Sequence, residues 1–201
     1  GLLAAGEEGL LRYSLDEGQT WQPLKPPDGG LIATAAPLDN GKVIALVRRE
    51  MQWIVFASDD LLAGNWRKIG TFEQEGSINL PFQNAMALVT RKHAGILMPN
   101  GELRMVNGDT EAVERGSTGI STISAHVMPD GMLVVQGTIV TPSTVVSTDA
   151  GRTWRDLKVS RSTQAITFLD ADTAYAVAPP DPGVFPGGFA LVVTRDGGKT
   201  W

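Results

Sequence analysis

Aspartates recur in this chain at a fixed spacing from hydroxyl side chains and tryptophan. The pattern Ser/Thr-x-Asp-x-Gly-x-Thr-Trp is found at Ser14 to Trp21, Ser147 to Trp154 and Thr194 to Trp201. A carboxylate at such a position has the chemistry of a general acid or a metal ligand. It can also accept hydrogen bonds from backbone N–H groups and so close a turn. Because the pattern returns in unit after unit, the sequence favours the structural role over the catalytic one.

A fourth, altered copy runs from Ser58 to Trp66 and carries one extra residue between its Asp and its Trp. Each copy follows an apolar run of β type and opens another at its Trp, which predicts a hairpin loop between antiparallel strands. The Gly is expected to take a backbone angle that other residues resist, and the Trp to cover the turn. The residues predicted to build these turns are Ser14, Asp16, Gly18, Trp21, Ser58, Asp60, Trp66, Ser147, Asp149, Gly151, Trp154, Asp196, Gly198 and Trp201.

The spacing of the copies indicates a structural repeat. Trp21 and Trp66 are 45 residues apart, Trp154 and Trp201 are 47 apart, and the gap of 88 between Trp66 and Trp154 is close to two periods. A period in the forties that holds four short strands is typical of a β-propeller blade. The sequence therefore predicts an all-β protein, a β-propeller of four-stranded antiparallel blades with about five repeat units.

The predicted units fall at about 1–25, 31–73, 84–115, 120–160 and 164–201, within one domain that covers 1–201. Unit one lacks an inner strand of its own, and unit five lacks an outer strand. The two incomplete ends do not add up to a single four-stranded blade. We therefore expect either a fragment of a larger propeller or a chain whose missing strands come from elsewhere.

The repeated pattern resembles the Asp-box, or BNR, repeat. The opening stretch from Leu2 to Ser14, which runs into the first copy, is similar to the repeats of photosystem II stability/assembly factor-like propellers, which have the sialidase-superfamily fold. The resemblance implies a non-enzymatic scaffold that binds another protein, in a periplasmic or extracellular location. Sialidases, endo-glucanases and sorting receptors share the same box, so the resemblance is specific for the fold and implies no individual site residue.

Composition restricts the partners. The chain has 17 basic and 22 acidic residues, a net charge of -5, which gives no reason to expect nucleic acid or an anionic membrane. It has no cysteine, and no apolar run approaches the ~18 residues of a membrane span, so we expect no membrane insertion. His93 and His126 have no carboxylate at a ligand-like spacing, and we expect neither a metal nor a cofactor.

Loops between the second and third strands of each blade share one face with the connections between blades, and functional residues tend to lie on such loops. There Arg48, Arg49 and Trp53 would suit an acidic peptide or a sugar carboxylate, although such a pair of arginines is more often solvated charge. In the proline-rich loop 178–188, Phe185 would suit docking of a partner protein; the alternative is a tolerated insertion.

The alternative functions are a sialidase-like glycoside hydrolase or a carbohydrate-binding module of a larger secreted protein. Sialidases use a tyrosine nucleophile paired with a glutamate, and this chain has only Tyr13 and Tyr175. Tyr13 directly precedes a box, and Tyr175 has no glutamate near it in sequence. Sugar binding needs an exposed indole, and Trp53 is the one tryptophan outside the boxes. The sequence therefore favours protein binding over catalysis.

Overall fold

The computed structural model describes residues 2–6, 10–27, 31–73, 85–128, 130–138, 142–157, 159, 165–178 and 188–201. These residues form β-strands and no helix. The first sheet contains β1 (Leu2–Ala5), β2 (Leu11–Ser14) and β3 (Gln22–Pro23). The second contains β4 (Leu31–Pro37), β5 (Val43–Arg49), β6 (Gln52–Ser58) and β7 (Arg67–Glu73).

The remaining strands form three more sheets. The third contains β8 (Met86–Val89), β9 (His93–Leu97), β10 (Glu102–Asn107) and β11 (Val113–Ser117). The fourth contains β12 (Ser121–Val127), β13 (Leu133–Thr138), β14 (Pro142–Ser147) and β15 (Arg155–Asp156). The fifth contains β16 (Ala165–Phe168), β17 (Ala174–Ala178) and β18 (Ala190–Thr194).

Every sheet is an antiparallel meander in which strands adjacent in sequence are hydrogen-bonded neighbours. Three sheets have four strands, while the first and the fifth have three among the described residues. This confirms the prediction of an all-β propeller with about five units. The third sheet has an outer strand, β11, that the sequence did not reveal, because its repeat unit has lost the Asp-box pattern.

Successive sheets pack face to face through apolar side chains. One cluster joins the first and second sheets around Leu11 and Val47, and the next joins the second and third around Ile44 and Ile96. Two further clusters continue the stack to the fourth and fifth sheets. The inner strands β4, β8 and β12 contact one another in that order, and β1 of the first sheet contacts β4. A middle strand such as β5 is buried on both faces, which explains its continuous apolar run.

Close approach of two strands explains the glycine inside β9. A Cβ atom built on Gly95 would lie 1.9 Å from the backbone oxygen of Arg104 and 2.7 Å from the Cα atom of Met105. Both atoms belong to the neighbouring backbone of β10 and cannot move aside independently. Only glycine therefore lets β9 and β10 approach each other this closely.

We predict that Gly95→Ala lowers the free energy of unfolding by about 1 to 3 kcal/mol, because the added methyl group overpacks a strand pair that cannot relax locally. Chemical denaturation followed by circular dichroism measures the change. Gly188→Ala is the matched control, since a Cβ atom at Gly188 meets no atom within 4 Å. Equal stability of the Gly95 variant and the control would contradict the packing described.

Candidate functional site

The first Asp box is a closed network of hydrogen bonds. The Ser14 hydroxyl donates to Asp16 Oδ1 at 2.7 Å and accepts from the Gly18 N–H at 2.8 Å. Asp16 then accepts from the Thr20 N–H at 2.9 Å through Oδ1 and from the Thr20 hydroxyl at 2.6 Å through Oδ2. Both carboxylate oxygens are therefore engaged within the turn, which is the structural role predicted from the repeat.

The fourth and fifth sheets repeat this network. Asp149 accepts from the Thr153 N–H at 2.9 Å and from the Thr153 hydroxyl at 2.6 Å. Asp196 has the same two contacts with Thr200, at 2.9 and 2.6 Å. In each box the Gly has a positive φ, +91° at Gly18, +88° at Gly151 and +85° at Gly198, as the sequence predicted.

The box tryptophans cover the turns and join the packing between sheets. Trp154 Nε1 donates to the backbone oxygen of Gly151 at 3.0 Å, and its ring packs against the cluster between the third and fourth sheets. Trp201 and Trp66 pack against the clusters of their own sheets, and Trp21 lies partly exposed beside Gly18. These indoles stabilise turns, so they are not free platforms for a sugar ring.

Hydrogen bonding shifts the acidity of the box carboxylates. Hydrogen bonds from Thr20 and Ser14 lower the pKa of Asp16 to about 2. Hydrogen bonds from Thr200 likewise lower the pKa of Asp196. Burial raises the pKa of Asp149, but the hydrogen bonds from Thr153 and Ser147 outweigh it and leave the pKa below its usual value. A general acid needs a raised pKa, so these shifts suit a structural role.

The altered copy in the second sheet makes a different turn. The Ser58 hydroxyl donates to the backbone oxygen of Asp60 at 2.8 Å, and the Asp60 carboxylate accepts from the N–H groups of Leu62 and Ala63 at 2.9 and 3.2 Å. Trp66 Nε1 donates to the Lys25 backbone oxygen at 2.8 Å and so ties the second sheet to the first. The extra residue changes the turn but keeps the Asp as its acceptor.

A polar cleft of about 300 Å³ opens on the same face as the boxes, beside His93, Asp149 and Arg152. Glu114 bridges the third and fourth sheets there: it lies 2.7 Å from Arg152 Nη2 and 3.6 Å from His93 Nε2. Burial lowers the pKa of His93, although the neighbouring Glu114 acts in the opposite direction. His93 is buried at the start of β9.

The predicted binding residues of the second sheet lie at the opposite face. Arg48 lies over the Trp53 ring, 5.9 Å from the ring centroid, and Arg49 is exposed at the end of β5. Trp53 is only 3% exposed and belongs to the core between the second and third sheets. The indole of Trp53 is therefore a buried support for Arg48, and the expectation that it would contact a ligand directly is wrong. A binding role of Arg48 and Arg49 stays a prediction.

Ile123, which the sequence did not single out, is a large apolar side chain that is 70% exposed on the inner strand β12. The pairing of β12 with β13 skips Ile123 between Thr122 and Ser124, which marks a β-bulge. The pairing of β4 with β5 skips Ala33 in the same way. A bulge depends on the local register of two paired strands and has no reliable signal in the sequence. The one feature that the sequence did show is an isoleucine within a strand rich in Ser and Thr.

The structure also places the two tyrosines considered for catalysis. The Tyr13 hydroxyl donates to Gln22 Oε1 at 2.7 Å, and Tyr175 is 39% exposed on β17. Over the described ranges, no group of three or more His, Cys, Asp or Glu side chains is arranged to hold a metal. Nor does this part of the chain contain a helix long and apolar enough to cross a membrane. Phe185 lies outside the described residues.

We predict that Asp149→Ala lowers the free energy of unfolding by about 1 to 3 kcal/mol, because the Thr153 N–H and two hydroxyl groups lose their acceptor. Thermal and urea denaturation measure the loss. The control is Asp156→Ala, which removes an exposed carboxylate from the short outer strand of the same sheet. A loss no larger than that of the control would contradict the structural role of the box.

Acid is predicted to destabilise the protein through the boxes. A carboxylate whose folded pKa is depressed stabilises the fold above its unfolded pKa of about 3.9, and this contribution is lost as the pH falls through the folded value. With the pKa of Asp16 at about 2 and those of Asp149 and Asp196 also lowered, the melting temperature should drop between pH of about 4 and about 2. Asp149→Asn, which cannot titrate, should show a smaller drop than Asp156→Asn; identical pH profiles would contradict the shift.

Comparisons with known proteins agree with this geometry. The protein-family model described as BNR/Asp-box repeat matches residues 12–23, which span the first box. No curated protein sequence matches the chain. A structure of YCF48 bound to D1 peptide has a TM-score of 0.60 and 17% identity, over 99% of this chain and 62% of that one. YCF48 from Cyanidioschyzon merolae has a TM-score of 0.54 and 14% identity, over 99% of this chain and 79% of that one.

The same likeness extends to an enzyme. The tricorn protease has a TM-score of 0.54 and 13% identity, over 94% of this chain and 21% of that one. At such identities the likeness shows a shared fold and no shared function. The chain also spans about 62% of the length of the first YCF48 structure. The protein is thus an all-β propeller that carries the BNR/Asp-box repeat and has the fold of the YCF48 structures.

Proposed function

We propose that this protein is a non-enzymatic β-propeller scaffold that binds another protein, as an assembly factor does, in the periplasm or outside the cell. The observation that carries the proposal is the exposure of Ile123 on an inner strand. A shift of one residue in strand register moves side chains to the opposite face of a sheet. Large aliphatic side chains are normally buried, but the bulge at Ile123 leaves this side chain exposed. The resulting apolar surface suits contact with a partner.

The structure holds this residue in place from two sides. The Thr122 N–H donates to the Pro99 backbone oxygen at 2.7 Å, which ties the start of β12 to the third sheet. Next to the bulge, the Ser124 hydroxyl donates to Gln136 Oε1 at 3.1 Å. Ile123 is thus presented on a fixed backbone, and a partner would not have to order this backbone on binding.

The start of β4 in the second sheet corresponds to the start of β12, where Ile123 lies, and this end of the sheet carries both a positive charge and an exposed apolar side chain. Leu31 pairs with Arg48 across β4 and β5 and is 38% exposed. Like Ile123, Leu31 lies at the beginning of an inner strand, and β8 is the inner strand between β4 and β12. Arg48 lies beside Leu31 at this end of the second sheet, and Arg49 follows it at the end of β5. We infer that the partner contributes an extended segment with an apolar side chain and a nearby carboxylate.

The YCF48 structure supports the same kind of function, because that propeller was solved bound to a peptide. A rigid propeller needs only variable loops and exposed inner-strand residues to bind different partners, so the fold is compatible with this proposal. The box carboxylates take no part in it, since their oxygens are engaged within the turns.

We predict that Ile123→Ser weakens peptide binding by about tenfold, the loss expected for removing one well-buried aliphatic contact. Peptides are first selected from a random library displayed on phage, and their affinity for the wild-type protein and the variant is then measured by isothermal titration calorimetry. Selected peptides are expected to combine an apolar residue with an acidic one. Leu62→Ser is the control, because Leu62 is 64% exposed in the turn at the opposite face.

Three results would contradict the proposal. The selection yields no peptide with measurable affinity, or Ile123→Ser binds as well as Leu62→Ser, or the wild-type protein hydrolyses a fluorogenic sialoside in the same preparation. Circular dichroism of each variant establishes that the fold is retained. The last result would favour the sialidase-like alternative, and binding of a free glycan without turnover would favour a carbohydrate-binding module.

A further inference from the structure

His93, Asn107 and Glu114 lie together in the third sheet, beside the polar cleft. His93 opens β9 and is 8% exposed, Asn107 is its register partner on β10, and Glu114 lies on β11. The His93 N–H donates to Thr90 Oγ1 at 3.0 Å, and the His93 backbone oxygen accepts from the Thr90 N–H at 2.8 Å. The imidazole is therefore carried by a backbone that is held on both sides.

The orientation of the Asn107 amide determines where the imidazole carries its proton. Asn107 Oδ1 accepts from the N–H groups of Asp109 and Thr110 at 2.9 and 3.1 Å. A reversed amide would direct its own N–H groups at these two donors, so the nitrogen faces His93. Asn107 Nδ2 lies 3.2 Å from His93 Nε2, and because Nδ2 can only donate, Nε2 accepts. In this arrangement the imidazole is neutral, with its proton on Nδ1.

Glu114 has an oxygen atom that this arrangement leaves without a donor. Its Oε1 accepts from Arg152 Nη2 of the fourth sheet at 2.7 Å. Its Oε2 is buried and has no hydrogen-bond partner within the described part of the chain, although it lies 3.6 Å from His93 Nε2. A buried carboxylate oxygen without a donor is costly, and a proton on Nε2 would provide the donor.

We propose that His93 is a proton switch in which Nε2 exchanges Asn107 for Glu114. When Nε2 binds a proton from solvent, it can no longer accept from the Asn107 amide and donates to Glu114 Oε2 instead. His93 borders the cleft of about 300 Å³, which gives the imidazole a route to solvent. The new positive charge repels Arg152, so acid weakens the ion pair that joins the third and fourth sheets. This proposal does not depend on the proposed function.

The charges around His93 determine when the switch operates. Burial lowers the pKa of His93 most, and the cations Arg152 and Lys92 act in the same direction, whereas Glu114 raises it. The other charged groups that border the cleft come from turns of the second, third and fourth sheets and are Asp39, Arg91, Asp130 and Asp149. The switch therefore operates below the ordinary histidine pKa of about 6.5.

Nitrogen NMR of the imidazole tests the switch in the intact 201-residue chain. His126, the other of the two histidines, is replaced by Asn so that a single imidazole is observed. Above the midpoint of the titration, we expect the chemical shifts of a tautomer protonated at Nδ1. The midpoint itself should lie below about 6.5.

Three variants should move this midpoint, each by on the order of one pH unit. Asn107→Ser should raise it, because a serine hydroxyl can still accept from the N–H groups of the turn but cannot reach His93. Glu114→Gln should lower it, because the protonated imidazole loses its carboxylate acceptor. Arg152→Gln should raise it, because the guanidinium that opposes the proton is removed; this shift is the reciprocal of the weakening of the ion pair by acid.

Two variants act as controls. Asn100→Ser changes an asparagine that accepts from the Glu102 N–H in a turn of the same sheet, and Glu102→Gln removes a carboxylate that pairs with Arg104. Neither should move the midpoint. A wild-type tautomer protonated at Nε2 would overturn the proposal, as would a Glu114→Gln shift no larger than that of Glu102→Gln. Asn107→Ser behaving like Asn100→Ser, or no shift in Arg152→Gln, would overturn it as well.

Discussion

The structure depends on the way in which an aspartate carboxylate closes the turn between the last two strands of a blade. In three sheets the carboxylate accepts both the N–H and the hydroxyl of the threonine four residues later. These bonds satisfy polar groups at a tight turn, where the glycine has a positive φ. The tryptophan that follows then packs beside the turn. A single acidic residue therefore links the local backbone to the packing between blades.

Packing between blades imposes a second condition, that each middle strand is apolar on both faces. Strands such as β5 and β9 meet it with continuous apolar sequence and with small residues where backbones approach closely. A polar link at the box face, the ion pair of Glu114 with Arg152, connects the third and fourth sheets. Since rigid contacts occupy the box face, variation that serves binding is better tolerated at the other face.

The architecture could be predicted from the sequence because each box marks the position of a hairpin turn and the distance between boxes gives the length of the repeat. It failed where the repeat decays. β11 was missed because Val113 to Ser117 alternates without a strong apolar signal and follows no intact box. Trp53 was expected to be available to a ligand, yet it shares a strand face with Val55 and Ala57. The alternation of these apolar residues along the strand was visible in the sequence and indicates that Trp53 is buried. The outward turn of Ile123 depends on a bulge, which only the register of two paired strands defines.

Amide hydrogen exchange measured by NMR at Thr20, Thr153 and Thr200 tests the role of the Asp box most directly. The side chains of these threonines lie in exposed hairpin loops, where an amide without an acceptor would exchange rapidly. If the carboxylates hold the turns, all three amides exchange far more slowly than those of an unstructured loop, and together. Exchange at the rate of an unstructured chain would show that the carboxylates do not hold these turns.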